Sequence, residues 1–89
     1  MPYFDEQQRQ DAVTFLFTGR FDQRSFAEFA RHRAARLSLD TIAVDLSPDR
    51  ISIAVSGRPE LVDAFEMACS LGPIDCLVED VIRGPAGPG

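Results

Sequence analysis

The chain has 89 residues, of which 45% are hydrophobic and 26% charged, a balance typical of one small globular domain. Its formal net charge of −5 disfavours nucleic acid and anionic membrane surfaces as partners, because both would repel it. No apolar run approaches the roughly 20 residues that cross a bilayer, and the polar, acidic start predicts no secretion signal. We therefore expect an acidic cytoplasmic protein that binds neither nucleic acid nor membrane.

The two cysteines and the single histidine do not indicate a metal or redox site. Cys69 and Cys76 lack the spacing of a metal knuckle or of a Cys-x-x-Cys pair, and His32 has no second histidine beside it. We expect small, partly buried thiols, since a free cysteine behaves as a small hydrophobe. A disulfide is the minor alternative, because cytoplasmic thiols stay reduced. The sequence predicts no cofactor and no metal.

The N-terminal part predicts an arm followed by a strand. Residues 1–11 are polar and show no periodicity, which indicates a flexible arm. From Ala12 to Thr18 the side chains alternate, with one valine and two phenylalanines on one face, as in a strand. Gly19 ends this strand.

A helix is predicted next. Ser25 and Glu28 have the spacing of a capping box, in which a hydroxyl and a carboxylate each satisfy a free backbone N–H. Apolar residues then repeat every three or four positions and form one stripe: Phe26, Phe29, Ala30, Ala34 and Leu37. Arginines crowd the C-terminal half, and the helix dipole explains them better than a phosphate-binding face does.

The middle of the chain predicts a hairpin and a second helix. Thr41–Leu46 and Arg50–Ser56 have strand patterns, and Ser47-Pro48-Asp49 between them supplies turn chemistry. Pro59 opens the helix, since its missing N–H would be unpaired at the first helical position anyway. Gly72-Pro73 ends it, because glycine accepts a left-handed cap and proline cannot continue the helix.

The complete element order predicts the fold class. Ile74–Ile82 is the fourth strand, and the Gly/Pro-rich residues 84–89 predict a flexible tail, which leaves residues 12–83 as the domain. In a β-α-β-β-α-β chain, right-handed crossovers put both helices on one face of a four-stranded antiparallel sheet. This is the α+β, ferredoxin-like α/β sandwich, and it hosts many unrelated functions.

The second half of the chain carries a recognisable series of residues. The run Val55–Phe65 ends a strand in Gly57 and starts a helix with Pro59-Glu60, and Gly72-Pro73 then leads into Val78–Val81. This series resembles the second half of bacterial acylphosphatases, and the first half lines up with the same family without gaps. The resemblance covers nearly the whole predicted domain.

The functional part of the resemblance lies between the first strand and the first helix. Gly19-Arg20 is similar to the opening of the family's Gly-Arg-Val-Gln-Gly-Val-x-Phe-Arg loop. The resemblance implies that loop N–H groups and the closing Arg hold the phosphate of an acyl phosphate, while an Asn on the second strand positions the attacking water. The candidate anion-binding loop would then be Gly19, Arg20, Phe21, Asp22, Gln23, Arg24 and Ser25.

The chain departs from the family at the positions that carry this chemistry. Ala27 aligns with the Arg and can neither donate a hydrogen bond nor carry charge. Asp45 aligns with the Asn and would face the loop, where a carboxylate could orient water but would repel a phosphate. The second loop glycine aligns with Gln23 and the variable position with Ser25, neither of which has the freedom of glycine, and Asp22 adds a negative charge.

Two hypotheses about function follow. The favoured one is a non-catalytic acylphosphatase-like module that binds a small anion or an unknown protein partner. It would be a monomer or a weak homodimer, because Leu16 and Ala54 make the open sheet face apolar. The alternative is a divergent acylphosphatase that hydrolyses the carboxyl-phosphate bond, with Arg20 or Arg24 replacing the missing Arg and Asp45 orienting the water. No catalytic residue is assigned, and enzyme activity stays open between the two.

Overall fold

The computed structural model describes residues 11–85. Four strands and two helices lie within them: β1 (Asp11–Arg20), α1 (Gln23–Arg36), β2 (Asp40–Leu46), β3 (Arg50–Gly57), α2 (Pro59–Leu71) and β4 (Leu77–Pro85). Neither helix is long and apolar enough to cross a membrane. The predicted element order and the α+β, ferredoxin-like class are confirmed.

The strands form one antiparallel sheet in the order β2-β3-β1-β4. Inside this sheet, β1 pairs with β3 on one side and with β4 on the other, so that Phe15 lies between Ile53 and Arg83. Among the described residues β2 and β4 are therefore the edge strands. An edge strand presents backbone N–H and C=O groups that have no strand partner.

One face of the sheet packs against both helices and holds the core. The buried residues alternate along β1 and β3 and repeat at helical spacing along α1 and α2: Val13, Phe15, Phe17, Ile51, Ile53, Val55, Phe26, Ala30, Ala34, Val62, Phe65 and Cys69. The ring of Phe17 lies 5.2 Å from that of Phe26 in α1. The ring of Phe15 lies 5.9 Å from that of Phe65 in α2. Phe15 and Phe17 both lie on the buried face of β1, so the two helices that they contact pack on that one face. Burying one such side chain stabilises the fold by about 1.5–3 kcal/mol.

Helix α1 begins at Gln23, and the predicted capping box at Ser25 and Glu28 is wrong. Asp22 is the N-cap: its backbone is extended, with φ −80° and ψ 110°, and its carboxylate accepts the N–H of Ser25. Aspartate and serine are about equally good N-caps. Three-dimensional contacts decide between them, because the Ser25 hydroxyl donates instead to Asp75 at 2.7 Å.

Strand β4 begins at Leu77, three residues later than the predicted start at Ile74. The side chain of Ile74 is fully exposed. The N–H of Cys76 donates to the carbonyl oxygen of Pro73 and closes a turn there. The residues after Pro73 therefore turn the chain before the sheet resumes.

The sheet extends slightly beyond the predicted domain at both ends. It begins at Asp11 and ends at Pro85, so it includes one residue of the predicted arm and two of the predicted tail. Pro85 lies opposite Val13 of β1. The rest of the predicted arm and tail, residues 1–10 and 86–89, lies outside the described residues.

Candidate anion-binding loop and the groove beside it

The candidate loop is compact, because only Phe21 and Asp22 connect β1 to α1. The pairing of β1 with β4 shifts register between Thr18 and Gly19. Gly19 has φ +155°, and a Cβ at this position would overlap the carbonyl oxygen of Leu77. Glycine is therefore required here for the close approach of two strands, whether or not an anion binds.

Two backbone N–H groups of the loop are bonded to the turn between β2 and β3. The N–H of Gly19 donates to the carbonyl oxygen of Asp49 at 3.2 Å, and that of Phe21 donates to the carbonyl oxygen of Pro48 at 2.8 Å. The Phe21 side chain is buried, with its ring edge-on to Phe26 at 5.0 Å. Both N–H groups thus form hydrogen bonds within the fold that connect the loop to the β2–β3 turn.

The start of α1 is capped by a carboxylate of the same chain. The N–H of Ser25 donates to Asp22 Oδ1 at 2.9 Å, and the N–H of Phe26 donates to the Asp22 carbonyl oxygen at 3.0 Å. The first N–H groups of a helix attract anions because they lack partners within the helix. At this helix the Asp22 side chain supplies the negative charge.

A second carboxylate lies beside the first. Asp75, in the turn before β4, accepts the Ser25 hydroxyl, and the Cys76 thiol lies 3.7 Å from both Asp75 Oδ1 and the Asp22 carbonyl oxygen. Burial raises the pKa of the Cys76 thiol, and the Asp75 carboxylate contributes to the same shift. Sequence reasoning missed Asp75 and Cys76, because no local pattern links a residue to one 50 positions away.

The remaining loop candidates point to solvent or to β2. Arg20 and Arg24 are exposed, and neither forms an ion pair with a carboxylate of residues 11–85. The side-chain amide of Gln23 donates to the carbonyl oxygen of Leu46 at 2.8 Å. Gln23 therefore ties the first turn of α1 to the end of β2.

Ala27 lies on α1 at the side of a groove. This α1–β2 groove has a volume of about 240 Å³ and is lined by Ala27, Glu28, Ala30, Arg31, Thr41, Ala43, Leu46 and Ile53. Most of its walls are small or apolar side chains, and Ile53 of β3 is buried. At the position that aligns with the family's Arg, the chain thus borders a mostly apolar groove.

A bulge in β2 decides the position of Asp45. Ala43 lies opposite Ile53, which is buried under the helices, so Ala43 belongs to the helix-facing side. The register shifts before Asp45, which lies opposite Ser52 on the open face of the sheet. Ala27 and Asp45 are therefore not brought together, and Asp45 does not face the loop as the alignment implied.

The cysteines and the histidine form no site of their own. Both cysteines are free thiols, and burial raises the pKa of Cys69 to about 12, so this thiol stays protonated at neutral pH. His32 is exposed on α1. Within residues 11–85 no group of three His, Cys, Asp or Glu side chains is placed to hold a metal ion.

Comparisons with known proteins identify the fold. No family model matches the chain, and no curated protein sequence matches it. An acylphosphatase from Coxiella burnetii aligns with a TM-score of 0.79 and 18% identity, over 92% of this chain and 85% of its own. An acylphosphatase from Bacillus subtilis aligns with a TM-score of 0.76 and 19% identity, over 84% of this chain and 83% of its own.

A larger protein contains a region of the same shape. Full-length HypF, in its phosphate- and nucleotide-bound form, aligns with a TM-score of 0.78 and 18% identity. The match covers 89% of this chain and 10% of the HypF chain. At such identities the likeness carries the fold and leaves the activity open. This chain therefore has the acylphosphatase-like fold.

Proposed function

We propose that this chain is an acylphosphatase-like module that works by binding or assembly and does not hydrolyse acyl phosphates efficiently. To catalyse phosphoryl transfer, a protein mainly has to position the reacting groups and to stabilise the charge on the phosphoryl oxygens. At the position of the family's Arg the chain has Ala27, which supplies neither. A cytoplasmic location is part of the same proposal, since both cysteines are free thiols.

The observation that carries the proposal is the bonding of the loop N–H groups. Phe21 donates to Pro48 and Ser25 donates to the Asp22 carboxylate, so a phosphate would have to displace partners from the same chain. Asp22 and Asp75 also bring two negative charges to the start of α1. Both features favour a loop that stabilises the fold over one that binds phosphate.

The expected loss of hydrolysis rate supports the same proposal. Removing one preorganised hydrogen-bond donor from an active site typically lowers the rate about 10²–10³-fold. Here the Arg is replaced by Ala27, the Asn by Asp45, and two loop N–H groups are already bonded. Losses at several positions together leave little catalysis.

The alternative is a divergent acylphosphatase that uses Arg20 or Arg24, with Asp45 orienting the water. Asp45 lies opposite Ser52 on the open sheet face, which makes this arrangement unfavourable. A chromogenic acyl phosphate separates the two functions. We expect turnover no faster than spontaneous hydrolysis for the natural chain and for its Arg20→Ala and Arg24→Ala variants. Turnover that either substitution abolishes would overturn the proposal.

A second measurement tests binding without chemistry. Inorganic phosphate is titrated into the full chain while the backbone amide signals of residues 19–27 are followed by NMR. We expect no saturable shift, because the N–H groups of Phe21 and Ser25 are bonded within the chain. Saturable shifts centred on these two amides would indicate a working anion site.

A further inference from the structure

We propose that the α1–β2 groove binds an extended segment of a partner protein, which pairs with β2 and inserts one aliphatic side chain beside Ala27. The proposal deepens the proposed binding function and rests on it. An extended segment that joins a sheet edge gains affinity from main-chain hydrogen bonds and specificity from the pockets that receive alternate side chains. The structure supplies an edge strand, such a pocket and a pattern of charge.

Strand β2 is exposed as an edge. The side chains of Ile42 and Val44 are 70% and 62% exposed. Natural edge strands usually carry charges or bulges that prevent unwanted pairing. Here the bulge lies after Ala43, which leaves Asp40–Ala43 as the regular stretch. A partner segment would therefore pair over these residues, next to the groove.

The groove has the size and lining for one aliphatic side chain. Its 240 Å³ equals about eight water molecules at ~30 Å³ each, more than the four carbons of a leucine side chain need. Ala27 of α1, Ala43 of β2 and Ile53 of β3 all line the groove. An apolar side chain would replace water against these surfaces.

Charge indicates which residues would flank that side chain. Arg31 lines the groove, and Arg24 lies on the same side of α1, two turns earlier. Neither arginine forms an ion pair with a carboxylate of residues 11–85. Glu28 lies between them on the groove wall, so this side carries a net positive charge. Side chains of the partner that point toward α1 should be acidic beside the aliphatic one.

The opposite face of β2 carries the opposite charge. Asp40 lies opposite Ser56, and Asp45 lies opposite Ser52, both on the open sheet face. Because successive side chains of a strand point to opposite faces, the partner segment should be acidic toward α1 and basic toward the open face. The inferred partner chemistry is therefore an alternating acidic and basic strand with a central leucine.

The same charges disfavour a second copy of this chain. Two β2 strands paired antiparallel around a two-fold axis would put the carboxylates Asp40 and Asp45 of both copies on the same open face of the joined sheet. Like charges across a strand pair are destabilising, and the net charge of −5 adds repulsion. A partner strand of the stated pattern meets no such repulsion.

The test compares two nonapeptides of identical composition and equal net charge. The first is Thr-Thr-Glu-Lys-Leu-Lys-Glu-Thr-Thr, which puts Glu beside Leu on the groove side. The second, Thr-Thr-Lys-Glu-Leu-Glu-Lys-Thr-Thr, puts Lys there. We expect the first to bind the full chain at least about tenfold more tightly and to shift the amide signals of Thr41 and Ala43. Equal binding of both peptides, or binding of neither, would overturn the inference.

Two pairs of variants locate the site. Ala27→Leu fills the groove and should weaken the first peptide at least about tenfold, whereas Ala35→Leu makes the same change at an exposed position of α1 outside the groove and should leave it unchanged. Arg31→Glu should remove or reverse the preference between the peptides, whereas Arg36→Glu should keep it. Equal effects within either pair would contradict the assignment.

Other occupants of the groove give distinct results. Dimerisation that Ala27→Leu abolishes would assign the groove to a second copy, and peptide binding only after deletion of residues 1–10 would assign it to the chain itself; either result overturns the inference. The acyl phosphate assay is independent of these measurements. A chain that hydrolyses no acyl phosphate and binds neither peptide refutes this inference while leaving the absence of catalysis intact.

Discussion

The carboxylate of Asp22 accepts a hydrogen bond from the backbone N–H of Ser25 at 2.9 Å, and this contact caps α1 where an anion site would lie. A helix N-terminus attracts negative charge because its first N–H groups lack partners within the helix. Here that charge belongs to the residue before the helix. A phosphate would have to compete with a carboxylate that is covalently held in place.

Removing the cap should destabilise the fold by a modest amount. We expect Asp22→Ala to lower the free energy of unfolding by about 1 kcal/mol, because the N–H of Ser25 loses its acceptor. Asp22→Asn keeps an oxygen acceptor and should cost less than half as much. Urea unfolding followed by far-UV circular dichroism measures both. Equal stability of Asp22→Ala and the natural chain would show that the cap is unimportant.

Gly19 should be essential for the sheet. In Gly19→Ala the new Cβ would overlap the carbonyl oxygen of Leu77 at a φ that favours glycine, so we expect a loss of at least about 3 kcal/mol of unfolding free energy. Gly84→Ala is the matched control, because a Cβ there meets no atom within 4 Å. Similar denaturation midpoints for the two variants would contradict the proposed overlap.

The helices and strands could be predicted from the sequence because the spacing of their buried apolar residues is visible in each local stretch of the chain. Phe15 and Phe17 alternate with part-polar residues in β1, and Phe26 and Ala30 repeat at helical spacing in α1. The capping residue could not be predicted in the same way. Asp22 and Ser25 have nearly equal propensity for the N-cap, and the choice depends on the bond from Ser25 to the distant Asp75.

For the candidate site, the sequence predicts a location, and it could not predict the geometry that the structure shows there. The resemblance gave the connection between β1 and α1 and the substitution at Ala27. The bulge before Asp45 adds one residue between two fixed pairings and leaves no mark in the residue pattern, yet it moves Asp45 to the open face. The bonding of the Phe21 N–H to Pro48 depends on the packing of a turn that lies far away in sequence.

Arg83 links β4 to α2 and covers a core ring. Its guanidinium donates to Asp63 at 2.8 Å and to Glu66 at 2.7 Å, and lies 5.1 Å from the centre of the Phe15 ring. We expect Arg83→Ala to lower the free energy of unfolding by about 1 kcal/mol. Most of this loss should come from the missing contact between the Arg83 side chain and the Phe15 ring, because partly exposed ion pairs contribute little.

The control for Arg83 is Arg58→Ala. The Arg58–Glu60 pair, at 3.0 Å, is mostly exposed, and Arg58 lies over no aromatic ring of residues 11–85, so removing it should change the unfolding free energy by less than about 0.5 kcal/mol. Unfolding is then repeated at ~1 M salt, where the Debye length is about 3 Å. If the effect of Arg83→Ala disappears at high salt, the ion pairs and not the packing account for it.

Cys69 should make stability fall at alkaline pH. Burial raises the pKa of its thiol from 9.0 to about 12, so the folded chain keeps a proton that the unfolded chain loses. The stabilisation is complete below pH 9 and is lost as the pH rises toward 12, with a slope of up to about 1.4 kcal/mol per pH unit. The chain has no lysine and one tyrosine, which leaves few other groups titrating there.

The alkaline loss can be assigned with two variants. Cys69→Ala removes the buried thiol and should flatten the fall in unfolding free energy above pH 9, although packing is also lost. Burial also raises the pKa of Cys76, but this residue is less buried than Cys69, so Cys76→Ala should keep most of the slope. An unchanged slope in Cys69→Ala would exclude this thiol as the cause.

An arginine restored at residue 27 should not restore hydrolysis. The Ala27→Arg side chain would enter the α1–β2 groove, while the N–H groups of Phe21 and Ser25 stay bonded and Asp45 stays on the open face. Catalysis of phosphoryl transfer needs these groups to converge on one phosphate. We therefore expect Ala27→Arg to hydrolyse a chromogenic acyl phosphate no faster than Ala35→Arg, which adds the same charge outside the groove.

The comparison of these two arginine variants separates two explanations of the missing chemistry. If Ala27→Arg exceeded Ala35→Arg by about tenfold or more, one absent side chain would account for most of the loss, since a single charge donor contributes a factor of that size or larger. The loop would then still be able to bind phosphate despite the Asp22 cap. Equal rates would mean that the internal bonds of the loop, and not Ala27 alone, prevent hydrolysis.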